Sequence, residues 1–175
     1  MSGLTSKETL SAVQKVFDKF FDLNSLLDRD VYLLDIKFNM PKFQKYIHEE
    51  HSHKMPLLAD ELQEFGSLRG DLFYRDIVPS HQEDYELVSE MFKSYAFELS
   101  NLEDLFANAI KVAIENNDLM YEDFLRSFEV EQIAKYTKQV AVFYQAIREY
   151  EKSKQLFKFN KEFESWIIDD FKGGD

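Results

Sequence analysis

Apolar side chains recur at Leu10, Val13, Phe17, Phe20, Leu23, Leu27, Val31 and Leu34, steps of three and four that place them on one helical face. The spacing predicts a first helix over 6–38, with Thr5 or Ser6 at its N-cap and Glu8 in its first turn. Asn39-Met40-Pro41 interrupts the pattern, and Pro41 suits the first turn of a new helix. A second helix is predicted over 41–65, with Phe43, Ile47, Leu58, Leu62 and Phe65 on its stripe. Pro56 should kink or split it, and Gly66 should stop it. Residues 67–83, with Gly70 and Pro79, read as a long crossover. A third helix follows over 82–116, with Val88, Met91, Tyr95, Leu102, Leu105 and Ala109 inward. Asn116-Asn117-Asp118 ends it, and a fourth runs over 121–152 through Phe124, Phe128, Val140, Phe143 and Ile147. The aromatic stretch 156–171 reads as a short extra helix. A crossover longer than the usual ~2–8 residues lets the second and third helices run parallel. The expectation is an all-α single domain over 1–175: a four-helix bundle at about 6–152 and a C-terminal segment, 153–175.

Composition supports the helices and narrows the chemistry. Only 5 Gly and 3 Pro punctuate 175 residues, whereas 17 Phe and 9 Tyr supply a large core. The absence of cysteine excludes disulfides, thiolate metal sites and a thiol nucleophile. The formal charge of −12 argues against broad DNA binding and suits a protein that binds cations. The N-terminal run MSGLTSKETLSAVQK lacks the basic and apolar regions of a secretory leader, and nothing approaches ~18 uncharged apolar residues. A soluble, cytoplasmic protein with no membrane partner is expected.

Three carboxylates fall where the stripes call for apolar residues. Glu50 lies among Tyr46, Ile47 and Leu57; Glu98 among Met91, Tyr95, Leu102 and Leu105; Glu131 follows Phe124 and Phe128. A lone buried carboxylate costs several kcal/mol, so such residues either reach water at the core's edge or are paired or metal-bound. His53, three residues after Glu50, adds a nitrogen close to the same face. Glu50, His53, Glu98 and Glu131 together make a hard-cation site suited to iron. The run His48-Glu49-Glu50-His51-Ser52-His53 does not fit the His-Glu-x-x-His of zinc proteases, because position 52 is Ser. His48 and His51 are expected on the flanks or surface.

These residues resemble the ferritin superfamily. YIHEEHSHKMPLLADELQEFG is similar to the second helix of bacterial non-haem ferritins, with Glu50 and His53 at their iron ligands, and YEDFLRSFEVEQIAKYTKQ is similar to the fourth. LDIKFNMPKFQKYIHEE resembles the first turn of Dps-like mini-ferritins, although their first-helix His position holds Asp35 here. The family's further Glu after the Glu-Gln pair corresponds to Ala134, its first-helix Glu falls near Phe17, and Asp30 is a substitute from another turn. The resemblance implies ferroxidase activity: a di-iron site (zinc as a surrogate) binding ferrous iron, oxidised by dioxygen or hydrogen peroxide, inside a homo-oligomeric cage of twelve or twenty-four subunits that stores the ferric product.

Two other readings stay open. One is a Dps-like cage that shields DNA, although Lys7, Lys15 and Lys19 are interleaved with Glu8, Asp18 and Asp22. The other is a ferritin-like scaffold with a degenerate metal site.

Overall fold

The computed structural model describes residues 5–173; the expectations for Met1–Leu4 and for the last two positions of the domain lie outside that range. The described residues form helices and connecting segments without strands. Helix α1 spans Lys7–Ile36, and the Ser6 hydroxyl caps it by accepting from the Thr9 N–H. A short turn leads into α2 (Pro41–Ile47), which opens with Pro41 in its first turn. A π-helical turn, His48–Ser52, joins α2 to α3 (Lys54–Leu68). After the crossover come α4 (Val88–Glu115) and α5 (Leu119–Phe128). A second π-turn, Glu129–Ile133, joins α5 to α6 (Ala134–Lys152). The chain closes with α7 (Leu156–Glu162) and two 3₁₀ turns, Phe163–Trp166 and Asp169–Phe171.

Four helical rods therefore lie side by side: α1, α2–α3, α4 and α5–α6. Contacts near both ends fix their directions. Asn24 meets Ser52 while Thr5 meets Asp71, so α1 and α2–α3 are antiparallel. Lys19 pairs with Glu98 while Lys37 pairs with Asp84 ahead of α4, so α1 and α4 are antiparallel too. Glu103 meets Thr137 and Ser89 meets Glu151, which sets α6 against α4. The second and third rods thus run in the same direction, as the long crossover requires.

The core follows the apolar stripes. Val13, Phe20, Leu23, Val31, Leu34, Phe43, Leu62, Leu99, Leu102, Phe106 and Phe143 are all fully buried. Phe43 is the hub of an aromatic cluster, with the rings of Phe143, Phe159, Phe163 and Phe92 at 5.1, 4.9, 5.3 and 5.5 Å.

One local expectation is corrected. Gly66 does not stop the second rod. The helix runs on to Leu68, and Gly70, with a φ of 77°, closes it in a Schellman arrangement: Asp71 N–H to Gly66 C=O at 2.9 Å and Gly70 N–H to Ser67 C=O at 3.1 Å. Gly66 is needed for space instead, because a Cβ there would lie 2.8 Å from Phe73 Cε2. The split expected at Pro56 is present: α2 and α3 are separate α-helices, and Pro56 lies in the first turn of α3. Proline cannot donate to the carbonyl four residues back, Ser52. The Asn24 amide of α1 donates to that carbonyl at 3.0 Å, and the irregularity is the π-turn just upstream.

Candidate metal centre

In an α-helix, residues five apart sit about 140° around the axis from each other. The π-turn tightens that separation. Its defining bond runs from His53 N–H to His48 C=O at 3.0 Å, and it brings the two imidazoles together one turn apart, tilted by 54° with ring centroids 4.1 Å apart. Asp28 of α1 faces the pair, with Oδ1 3.8 Å from His48 Nε2. One donor atom from each of Asp28, His48 and His53 lies within 4.8 Å of the other two, the one such group of three among the described residues. The Ser52 hydroxyl donates to Asp28 Oδ1 and itself accepts from Asn24 Nδ2 at 3.2 Å, so the carboxylate is held from behind. Asp28 and His48 are half-buried and His53 is exposed, which leaves the open side of the group toward solvent. Two imidazole nitrogens and one carboxylate are a donor set for a borderline divalent ion such as Fe(II) or Zn(II), with coordination positions to spare.

The residues singled out from the sequence lie as follows. His53 belongs to this group, through Asp28 and His48 rather than through Glu50. Glu50 is half-buried within the π-turn. Its charge adds to the burial that pushes the phenols of Tyr46 and Tyr136 above the usual tyrosine range. Glu98 is ion-paired with Lys19, and Glu131 is exposed on the second π-turn. Glu50, Glu98 and Glu131 enter no group of three ligands among the described residues.

His51 is a correction: it is fully buried, not a flank or surface residue. Four residues after Ile47 and seven before Leu58, it falls on the buried stripe of the rod. Its Nδ1 lies 3.1 Å from Tyr95 Oη, Phe171 stacks on its ring at 5.4 Å, and Tyr136 meets it edge-on at 5.4 Å. Its Nε2 and the nearby Tyr46 hydroxyl have no hydrogen-bond partner among the described residues. Burial, with the Lys135 charge, drives the imidazole down to about 3, so it is neutral at physiological pH. Asp30 is another buried ionisable group. Burial raises its carboxyl to about 7 against the opposing pull of Arg29.

Asp28 and His48 carried no signal in the sequence, because two histidines five apart do not share an α-helical face. No protein-family model matches the chain, and comparison with curated proteins finds no match either. Among the described residues, no helix is long and apolar enough to cross a membrane.

Proposed function

We propose that the protein is a ferritin-like helical bundle that handles a divalent transition metal, ferrous iron above others, and takes it up at Asp28, His48 and His53. The observation that carries the reading is the convergence of two imidazoles and a carboxylate on the π-turn. The parallel second and third rods, the crossover between them and the −12 charge agree with it. Assembly into a cage of twelve or twenty-four copies, with oxidation and storage of the iron, is the fuller form of the proposal. Strongly exposed Ile36, Leu68, Leu72 and Ile77 are apolar surface that such assembly would cover.

One observation favours a second reading, a bundle without an interior metal centre. At the level of Glu50 the interior is filled by His51, Tyr95, Tyr136 and Phe143 rather than by carboxylates.

The test is equilibrium binding of Zn(II) and of anaerobic Fe(II), with aerobic Fe(II) oxidation followed in the near ultraviolet. Wild type is compared with the His48→Ala/His53→Ala and Glu50→Ala/Glu98→Ala pairs. Binding that survives the Glu pair and disappears with the His pair is the expected result. The bound ion should also raise stability by about 2.7 kcal/mol at a hundredfold excess over Kd. Loss only in the Glu pair would move uptake to the bundle interior, and no binding by wild type would refute metal handling.

A further inference from the structure

The crossover, residues 69–87, is fixed at its two ends. Gln14 exchanges hydrogen bonds with Tyr74 at 2.7 and 3.2 Å, and Lys37 reaches Asp84 at 3.0 Å. Further ties lie between these ends. Ser25 Oγ donates to Pro79 C=O at 3.4 Å, the Arg75 guanidinium lies 4.5 Å over the Phe21 ring, the Asp76 backbone donates to the Asp18 carboxylate, and His81 makes the ion pair to α1. His81 Nε2 lies 2.6 Å from Asp22 Oδ1, and its Nδ1 lies 3.5 Å from Glu83 Oε1. Asp22 also holds the Lys19 ammonium at 2.7 Å, and Lys19 in turn pairs with Glu98 on α4. The sequence Glu83–His81–Asp22–Lys19–Glu98 therefore alternates in sign across the crossover, α1 and α4 only while His81 carries its proton. With a neutral imidazole, three carboxylates face one ammonium. Beside this span lies an open cleft of about 330 Å³, walled by Asp18, Lys19 and Asp22 of α1, Ile77 and Pro79 of the crossover, and Leu105 of α4.

We propose that His81 is a proton-operated latch: protonated, it clamps residues 76–82 against α1 as a wall of the cleft, and on losing its proton it lets that span lift. The charged groups around it are Lys19, Asp22, Arg29 and Asp30 on α1, Glu83 on the crossover, and Glu98 on α4 acting through Lys19. Burial opposes the charge on His81, but the hydrogen bonds and charges of Asp22 and Glu83 outweigh it and raise the imidazole above its usual range. A raised value in the folded state means that the clamp is complete below the ordinary histidine range. It is lost as pH climbs through the higher folded value. The device is independent of the metal reading, since no proposed ligand touches His81.

The chain has no cysteine, so a nitroxide can be attached at one introduced site without background. Ser80→Cys, exposed in the middle of the span, reports the latch, and Ser100→Cys, exposed on α4, is the control. Spectra are recorded on the intact protein at about pH 6 and about pH 8.5, either side of the histidine range. The Ser80 label should be immobilised at the lower pH and mobile at the higher, with the control unchanged. His81→Gln should leave the label mobile at both values, and His81→Arg, which keeps a charge for Asp22, should hold it at both. Equal mobility of the Ser80 label at the two pH values, a His81→Gln protein that still follows wild type, or a parallel change at Ser100 would each overturn the latch.

Discussion

Asp30 and His51 are buried a short distance apart in sequence, and their effects on stability oppose each other. In the unfolded chain the imidazole titrates near 6.5 and the carboxyl near 3.8, whereas in the folded protein they titrate at about 3 and about 7. Between about pH 4.5 and 6 unfolding puts a proton on His51 and takes one off Asp30. Folded His51 therefore makes stability rise with pH, and folded Asp30 makes it fall. Each slope approaches about 1.4 kcal/mol per pH unit, or about 2 kcal/mol over this interval. In wild type the two largely cancel. Asp30→Asn should expose the His51 slope, with stability rising by about 2 kcal/mol from pH 4.5 to 6. His51→Phe should expose the opposite slope, on top of a pH-independent loss of about 1–3 kcal/mol from the Tyr95 hydroxyl left without its partner. Urea unfolding followed by far-ultraviolet circular dichroism, with a chelator present, measures both. The other shifted groups are common to all three proteins and drop out of the differences. Variant curves that run parallel to wild type would show that neither group changes its protonation on folding, and the account of this interior would fail.

Two packing predictions follow from contacts at the ends of the rods. Gly66→Ala places a methyl 2.8 Å from Phe73 Cε2 and 3.4 Å from Tyr121 Oη, so thermal or urea unfolding should show a loss of about 1–3 kcal/mol. Adding Phe73→Leu should recover part of it; no recovery would mean that the clash is not the cause. Phe43→Ala empties the hub of the aromatic cluster and should cost about 3–5 kcal/mol in the same assay. A cost below about 1 kcal/mol would mean that the four surrounding rings collapse into the space.

The rods were legible because burial of one helical face imposes a period that survives in the sequence. Val13, Phe20, Leu23, Val31 and Leu34 show it on α1, and each is fully buried. The crossover was legible from Gly70 and Pro79, although it extends to Leu87, where α4 begins later than the apolar pattern implied. Gly66 misled about where the rod ends, and Pro56 marked the split between α2 and α3 but not its form. A glycine or proline marks a place where the backbone has a special need, and the sequence does not say which need. At Gly66 the need is room for Phe73, and at Pro56 it is a carbonyl that another helix satisfies.

The candidate site was less legible because a helical period carries phase only as far as the first irregular turn. Assuming an unbroken helix, Glu50 and His53 share a face, and His48 and His53 sit about 140° apart. The π-turn inserts one residue between Ile47 and His53, and everything beyond it is rotated by about 100° relative to that assumption. His53 then faces outward to meet His48, a neighbour that α-helical geometry would deny it. The fourth rod carries the same irregularity around Glu131, which lies exposed. Asp28, the third donor, comes from α1, and its place opposite the imidazoles depends on the register of two rods, which Ser52 and Asn24 help to set. A ligand set that depends on an inserted residue and on a register between helices leaves no local trace. Its histidines therefore looked like solvated side chains until the turn that pairs them was seen.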